Sequence, residues 1–457
     1  MTDSGWGLMK GHLKTILLAG LYTFYYLVME LTVNDYAQTV LGGEHVAFLY
    51  GVCYLAVGLG YPLYCVSGSL VRSATAKRAI LLGTAFLNVL STLAVSFTNS
   101  QPLVIACAVT AHLTAGYFGG AVYYFVAMRL KGAEKIGLYI ACACAGANLV
   151  QLFGLLIAAL TPVTVYEWLE RISLAAAMII IGLILPGRMP VSISVQREAS
   201  EPAPDIKKYL LGALAAMALI SLMHGMTDGI ITALHARGDA YIAYGYPRLF
   251  VLPGLLFAGA VADMKNKSIL TFGTLAAMIV MVISVLLFYT PETYDMATCF
   301  VYFFGSFMSL YSIVVFMRIA PFTRNPALVA GSGRGVRYFF AGLAIIASGR
   351  FFETVSEVAF AAVYIVLVVL LFAVFFFMGQ LHMPVNQEKE EKHMPDISRY
   401  NLTDRETEVL ILLLHGKSTI DIASELFVTE RTVRSHISNL LAKTSSRNRV
   451  EMIANLK

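Results

Sequence analysis

Gly259-Ala-Val-Ala-Asp263-Met-Lys265-Asn-Lys267 is a short charged segment set between two apolar runs, residues 241–261 and 268–289. Each run is about the 20 residues that a helix needs to cross bilayer hydrocarbon. The three segments therefore read as two membrane spans joined by a tight aqueous loop. The same alternation continues outward in both directions.

Toward the C-terminus apolar runs recur at 295–317, 333–349 and 356–379, and one precedes the quoted pair at 208–234. Upstream lie six more, at 13–33, 46–66, 79–98, 102–126, 136–160 and 173–187. The reading is all-α: a twelve-helix bundle in two halves, 1–187 and 208–379. Between the halves, 188–207 carries Arg188, Pro190, Arg197, Glu198, Glu201, Pro202, Pro204, Asp205 and Lys207, the composition of a solvated loop. The first run follows Lys10 and Lys14; it exceeds a signal-peptide core and lacks a clear small-residue cleavage site, so it reads as a retained helix.

Composition agrees. Of 457 residues, 58% are hydrophobic and 13% charged, where a soluble domain has about 25% charged. A single soluble domain is excluded. Pro at 14, Gly at 36 and Cys at 6 exclude collagen-like, disordered and disulfide-framework chains. The cysteines all fall in apolar runs without metal or haem spacing and read as small packing residues.

The net charge of +5 matters less than where Lys and Arg fall. With the N-terminus inside, the cytoplasmic loops collect Lys10, Lys14, Arg72, Lys77, Arg78, Arg129, Lys131, Lys135, Arg188, Arg197, Lys207, Lys208, Lys265, Lys267, Arg318, Arg324, Arg334 and Arg337; the opposite loops have only Arg171, Arg237 and Arg350. Because cytoplasmic loops hold the excess of bases, both termini are expected in the cytoplasm of a bacterial cell, with the bundle in its cytoplasmic membrane.

Ionisable groups inside spans are costly and usually face a cavity or one another. Glu30 lies late in the first span, Asp228 late in the seventh, and Arg248 early in the eighth. Tyr26 and His224 stand one helical turn before Glu30 and Asp228. Together they fit a small-molecule pocket on the outer side of the membrane, mostly apolar with a few orienting polar groups. The same residues also fit plain packing, with Arg248 neutralising a carboxylate and His224 bonded to Asp228. His224 and Asp228 lack a third ligand at metal spacing. Gly331-Ser-Gly333-Arg-Gly335 lacks the Lys-Ser/Thr ending of a phosphate loop and reads as the small-residue mouth of the eleventh span. With neither a G-x-S-x-G elbow nor an H-E-x-x-H pair, the chain is not expected to be an enzyme or to hold a cofactor.

Six spans, a long charged loop and six more resemble the major facilitator superfamily, whose halves enclose a central cavity. The segment from Gly259 to Lys267 resembles its cytoplasmic G-x-x-x-D-x-x-x-[RK] motif. The matching first-half loop, Gly68-Ser-Leu-Val-Arg72-Ser-Ala-Thr-Ala-Lys77-Arg78, keeps the bases but has no Asp.

Residues 380–400, with the run Gln387-Glu-Lys-Glu-Glu-Lys and Pro384 and Pro395, cannot build a core and read as a flexible linker. From 401 to 457 helical punctuation returns. Thr403 and Glu406 form a capping box before Val409, Leu410, Leu413 and Leu414. Gly416 ends that helix; Ser418 and Thr429 start two more, carrying Ile422, Ala423 and Leu426, then Val433, Ile437, Leu440 and Leu441. A last helix near 447–456 presents Val450, Ile453 and Ala454. Two short helices joined by a tight turn make a helix-turn-helix.

Leu402-Thr-Asp-Arg405-Glu406, Glu408-Val-Leu410, Gly416-Lys-Ser418, Ile422-Ala423, Val428-Thr429, Thr432-Val433-Arg434-Ser-His436, Lys443 and Arg449 strongly resemble the LuxR-type DNA-binding domain. The resemblance implies a recognition helix at 429–444 on double-stranded DNA, with Arg434, Ser435 and Ser438 facing bases and Thr429, Thr432 and Lys443 near phosphates. Thr444 and Ser446 stand where that family packs apolar residues. From Asp396 onward nine Lys and Arg face eight Asp and Glu, so charge alone gives modest affinity and a homodimer on DNA is expected. The whole chain resembles membrane-embedded LuxR-type transcriptional regulators, which implies sensing of a small-molecule ligand by the bundle; the alternative is a transporter with a regulatory tail.

Overall fold

The structure is a computed structural model that describes residues 5–71, 73–188, 204–236, 246–265, 268–287, 291–354, 357–379, 400, 402–414, 419, 422–423, 426, 428–449 and 451–452. It divides into two compact units, Met1–Met383 and Pro384–Lys457. The described residues are helices and connecting turns, with no strand among them.

The first unit contains α1 (Gly5–Leu41), α2 (Gly43–Leu70), α3 (Ala74–Val95), α4 (Gln101–Arg129), α5 (Ile136–Leu160), α6 (Val163–Arg188), α7 (Pro204–Ala236), α8 (Val251–Ala262, entered through a 3-10 turn at Tyr246–Phe250), α9 (Ser268–Leu287), α10 (Pro291–Ile319), α11 (Pro326–Thr354) and α12 (Glu357–Gly379). Over its described residues each apolar run of the sequence falls largely on one of these helices. Among the described residues nine, α1 to α7, α10 and α12, are long and apolar enough to cross a membrane, and α8 and α9 are shorter apolar helices.

Packing repeats between the halves. In the first half α1 packs on α4, α5 and α6, α2 on α4, and α3 on α4 and α6; adding six to each number gives pairings found in the second half. The halves meet where α2 packs on α11 and α5 on α8, again related by that offset. Two similar halves facing each other in this way leave space between them for a cavity. Close crossings depend on small residues. A Cβ on Gly60 of α2 would lie 2.2 Å from the Leu113 carbonyl oxygen of α4, so only glycine lets these backbones touch.

Most helices start a few residues before the apolar run that marks them, and two of these early starts take in arginines read as loop residues. α6 begins at Val163, ten residues before the expected span, because Arg171 is buried rather than exposed. Its guanidinium lies 5.5 Å from the Tyr36 ring, 4.7 Å from Phe97 and 5.2 Å from Trp168, and it donates to the Tyr36 hydroxyl at 2.7 Å. α11 begins at Pro326, where proline's fixed φ suits a first helical position. Arg334 and Arg337, read as loop bases, therefore lie inside this helix, and so does the glycine run 331–335, read as its mouth.

The second unit contains α13 (Asp404–Leu414) and α14 (Glu430–Lys443), packed on each other. Val409, Leu410, Leu413, Ile422, Ala423, Val433, Ile437, Leu440 and Met452 form its core, the faces that helical spacing selects. The capping box forms as read: Thr403 N–H donates to Glu406 at 2.9 Å, and Glu406 N–H to Thr403 Oγ1 at 3.3 Å. Gly416, Ser418, Val450, Ile453 and Ala454, most of the inter-half loop and nearly all of the linker lie outside the described residues.

Candidate ligand cavity and DNA-reading helix

A cavity of about 350 Å³ lies between the halves, lined by Thr23, Tyr26, Glu30, Asn34, Asp35, Tyr50, Tyr54, Asn148, His224, Asp228, Arg248, Ser309, Arg334, Arg337 and Tyr338 among others. Its volume is that of a small-ligand site. The lining runs along α1 from Thr23 to Gln38, on the C-terminal part of that helix.

All five residues expected to form the pocket line it. Glu30 accepts hydrogen bonds at Oε1 from the Tyr50 hydroxyl at 2.9 Å and the Tyr54 hydroxyl at 2.7 Å. His224 Nε2 lies 3.2 Å from Asp228 Oδ2, one turn apart on α7. Arg248 donates to Gln151 Oε1 at 2.7 Å, so the start of the second half's α8 is tied to α5 of the first. Pairing and cavity lining thus coexist in the same residues. The Tyr26 hydroxyl and His224 Nδ1 are buried without a hydrogen-bond partner among the described residues. Tyr22 and Tyr123, packed edge to face with ring centroids 5.7 Å apart, are not among the lining residues.

Two lining residues were missed as pocket groups because the sequence reading counted them among the cytoplasmic bases at the mouth of the eleventh span. Arg334 Nε donates to the Tyr123 hydroxyl at 3.3 Å, and Arg337 Nη1 to Ser309 Oγ at 3.0 Å. Both guanidinium groups lie over Tyr338, at 5.4 Å and 5.6 Å from its ring centre. That ring also packs against Tyr26 and Tyr54, each with centroids 5.1 Å away, and stacks with Tyr61. The legible signal was Asn325-Pro326, a helix start, seven residues upstream of the expected span.

Toward the N-terminal end of α1 the halves are joined. Asp263, in the quoted segment after α8, accepts from Gly137 N–H at 2.8 Å and Leu138 N–H at 2.7 Å, at the start of α5, and from Arg318 of α10 at 2.8 Å. The carboxylate faces a helix N-terminus, where backbone donors and the helix dipole favour negative charge.

In the second unit Thr429 caps α14, its Oγ1 accepting from Thr432 N–H at 3.2 Å. Val433, Ile437 and Leu440 face the core, while Arg434, Ser435 and Ser438 are exposed together on the opposite face. Among the described residues Arg434 is bonded only to Glu430 of its own helix, at 3.1 Å. Lys443 differs: its ammonium donates to Glu406 at 2.7 Å, holding α14 to α13. This contact and the Thr403 N–H hold the Glu406 carboxyl down to about 2. Thr444 is buried with its hydroxyl donating to the Leu440 carbonyl at 2.7 Å, so a polar side chain is accommodated where the family packs an apolar one.

These features define a helix-turn-helix DNA-binding domain fused to a facilitator-like membrane bundle. The profile of the bacterial regulatory proteins of the luxR family matches residues 400–455. The spore germination protein GerE of Bacillus subtilis (strain 168) is 49% identical over 55 residues, 12% of this chain and 74% of GerE. By its C-terminal domain the chain belongs to the LuxR family. The uncharacterized transcriptional regulatory protein YhcZ of the same organism is 43% identical over 63 residues, 14% of this chain and 29% of YhcZ. Transcriptional regulatory protein DesR, also from that organism, is 50% identical over 56 residues, 12% of this chain and 28% of DesR. The match thus spans under a third of these last two relatives. The bundle shares its fold with the human organic anion transporter MFSD10 (TETRAN), with a TM-score of 0.55, 14% identity, and coverage of 81% of this chain and 99% of that one.

Proposed function

We propose that the protein is a membrane-bound one-component transcriptional regulator: a small molecule binds in the inter-half cavity, and the LuxR-type domain binds operator DNA as a homodimer. The observation that carries this reading is the pairing, in one chain, of a polar-lined cavity with an α14 whose Arg434 face is exposed. The Lys and Arg distribution supports a bacterial cytoplasmic membrane with both termini cytoplasmic. The cavity then opens outward, and the Asp263 junction closes the cytoplasmic side. A ligand shifts such an equilibrium only through its differential affinity for two arrangements, about 1.4 kcal/mol for each tenfold change in their ratio.

Genome-wide occupancy and transcript profiles of the intact protein and of Arg434→Ala test the regulator. Specific peaks lost in the variant support it; no peaks in any growth medium would refute it. Once a responsive condition is known, Glu30→Ala, Asp228→Ala and Arg248→Ala test the cavity, and an intact response in all three removes it as the sensing site. The Asp263 junction favours a second reading, a transporter with a regulatory tail, since inter-half junctions also serve alternating access. Accumulation of ligand inside sealed vesicles would decide for it.

A further inference from the structure

The charges in the cavity are not equally provided for. Glu30 has two tyrosine hydroxyls and Asp228 has His224. Arg334 and Arg337 stand one turn apart on α11, and among the described residues neither forms an ion pair. The Nε of Arg337 is buried with no hydrogen-bond partner among the described residues. Arg334 is 8% exposed, and its one hydrogen bond among the described residues, at Nε, goes to the Tyr123 hydroxyl. Two like charges one turn apart repel. Glu30 and Asp228, on the same cavity, act on Arg337 electrostatically but form no ion pair with it among the described residues, and buried guanidinium groups without a carboxylate in contact are unfavourable unless an anion completes the site. Tyr338 lies against both groups, fixing their planes while leaving donors unused. Planar guanidinium donors of this kind match the oxygens of a carboxylate, sulfonate or phosphate.

We infer that Arg334 and Arg337 form an anion-binding subsite, and that the molecule entering the cavity is a small organic anion whose acidic group docks there. Its apolar body lies along Tyr26, Tyr54 and Tyr338, the ring cluster beside the arginines. This inference rests on the reading of the cavity as a ligand site and specifies the chemistry of its ligand.

The test uses the full chain in lipid nanodiscs and probes matched in shape but not in charge: benzoate, benzenesulfonate and 2-naphthoate against benzamide and 2-naphthamide, with benzylamine as the cation, at equal ionic strength. Binding is followed by thermal unfolding. At least one anion is expected to stabilise the protein with an apparent affinity about tenfold or more above that of its amide. Arg337→Gln and Arg334→Gln should lose this preference, and Arg337→Lys should keep part of it because the charge remains. Amides or benzylamine binding as well as the anions, no stabilisation by any anion, or a preference for anions that survives in both Gln variants would each overturn the inference. A transcriptional reporter run with the same probes separates the two claims: anion binding without any transcriptional response would leave the subsite standing and remove the sensing role.

Discussion

Asp263 and Arg318 form an ion pair of 2.8 Å in which the carboxylate also accepts two backbone N–H groups from the other half of the bundle. Their side chains are 11% and 5% exposed, so removing one partner leaves the other largely desolvated. Asp263→Ala is therefore expected to weaken the α5–α8 junction by about 3 kcal/mol, a shift on the order of a hundredfold in the ratio of joined to separated forms. Ala141, fully buried on α5 against Gly259, reports on it: in Ala141→Cys, modification by a hydrophilic maleimide should be slow with Asp263 present and fast without it. Equal rates would show that the ion pair does not hold the halves together.

Glu406 predicts an acid response in the DNA-binding unit. Its folded carboxyl is held down to about 2, chiefly by the Lys443 ammonium, against an ordinary value of 4.5. A depressed folded value means that the contribution is fully present above about 4.5 and is lost as pH falls from there toward about 2. A fragment of residues 400–457, which has its own closed core, should show this loss in urea unfolding followed by circular dichroism. Glu406→Gln should flatten that pH dependence, keep the backbone cap, and cost about 1 kcal/mol at neutral pH, since Lys443 remains partly solvated.

Sequence and structure agree where one physical signal dominates. Long apolar runs have few alternatives to membrane helices, and Thr403, Glu406 and Thr429 make the local caps their spacing implies. Glu30, Asp228 and Arg248, far apart in the chain, line one cavity because they occupy related depths in similar halves. Arg334, Arg337 and Arg171 were misread for a shared reason. A hydropathy average treats a guanidinium as a span boundary, whereas an Arg stacked on Tyr338, or enclosed by Tyr36, Phe97 and Trp168, stays within the helix. Lys443, assigned to phosphate, is tied to Glu406 across the core edge, a contact that requires two helices 37 residues apart to meet.

Arg434 is 71% exposed on its side chain and among the described residues bonds only to Glu430, so its removal should leave α14 folded. If Arg434 reads a base, Arg434→Ala will weaken binding to a specific operator by about 1–3 kcal/mol while changing binding to random duplex far less. Fluorescence anisotropy with both duplexes over a salt series makes the comparison. An equal loss on both, with a shallower salt slope, would assign Arg434 to the phosphate backbone instead.

Ser445 closes α14 with a left-handed φ of 53°. Around it the Ser446 N–H donates to the Leu441 carbonyl at 2.9 Å and the Ser445 N–H to the Ala442 carbonyl at 3.3 Å, the two bonds of a Schellman helix end. A Cβ in this region meets the following carbonyl oxygen, which glycine avoids. Glycine also has more unfolded-state freedom to lose, so the net gain is smaller than the steric relief. Ser445→Gly should therefore raise the stability of the 400–457 fragment by about 0.5–1 kcal/mol, and the β-branched Ser445→Val should lower it by more than that. Urea midpoints at constant slope measure both. If glycine destabilises and valine is neutral, the turn after α14 is not left-handed in solution, and the last helix must join the core through a different connection.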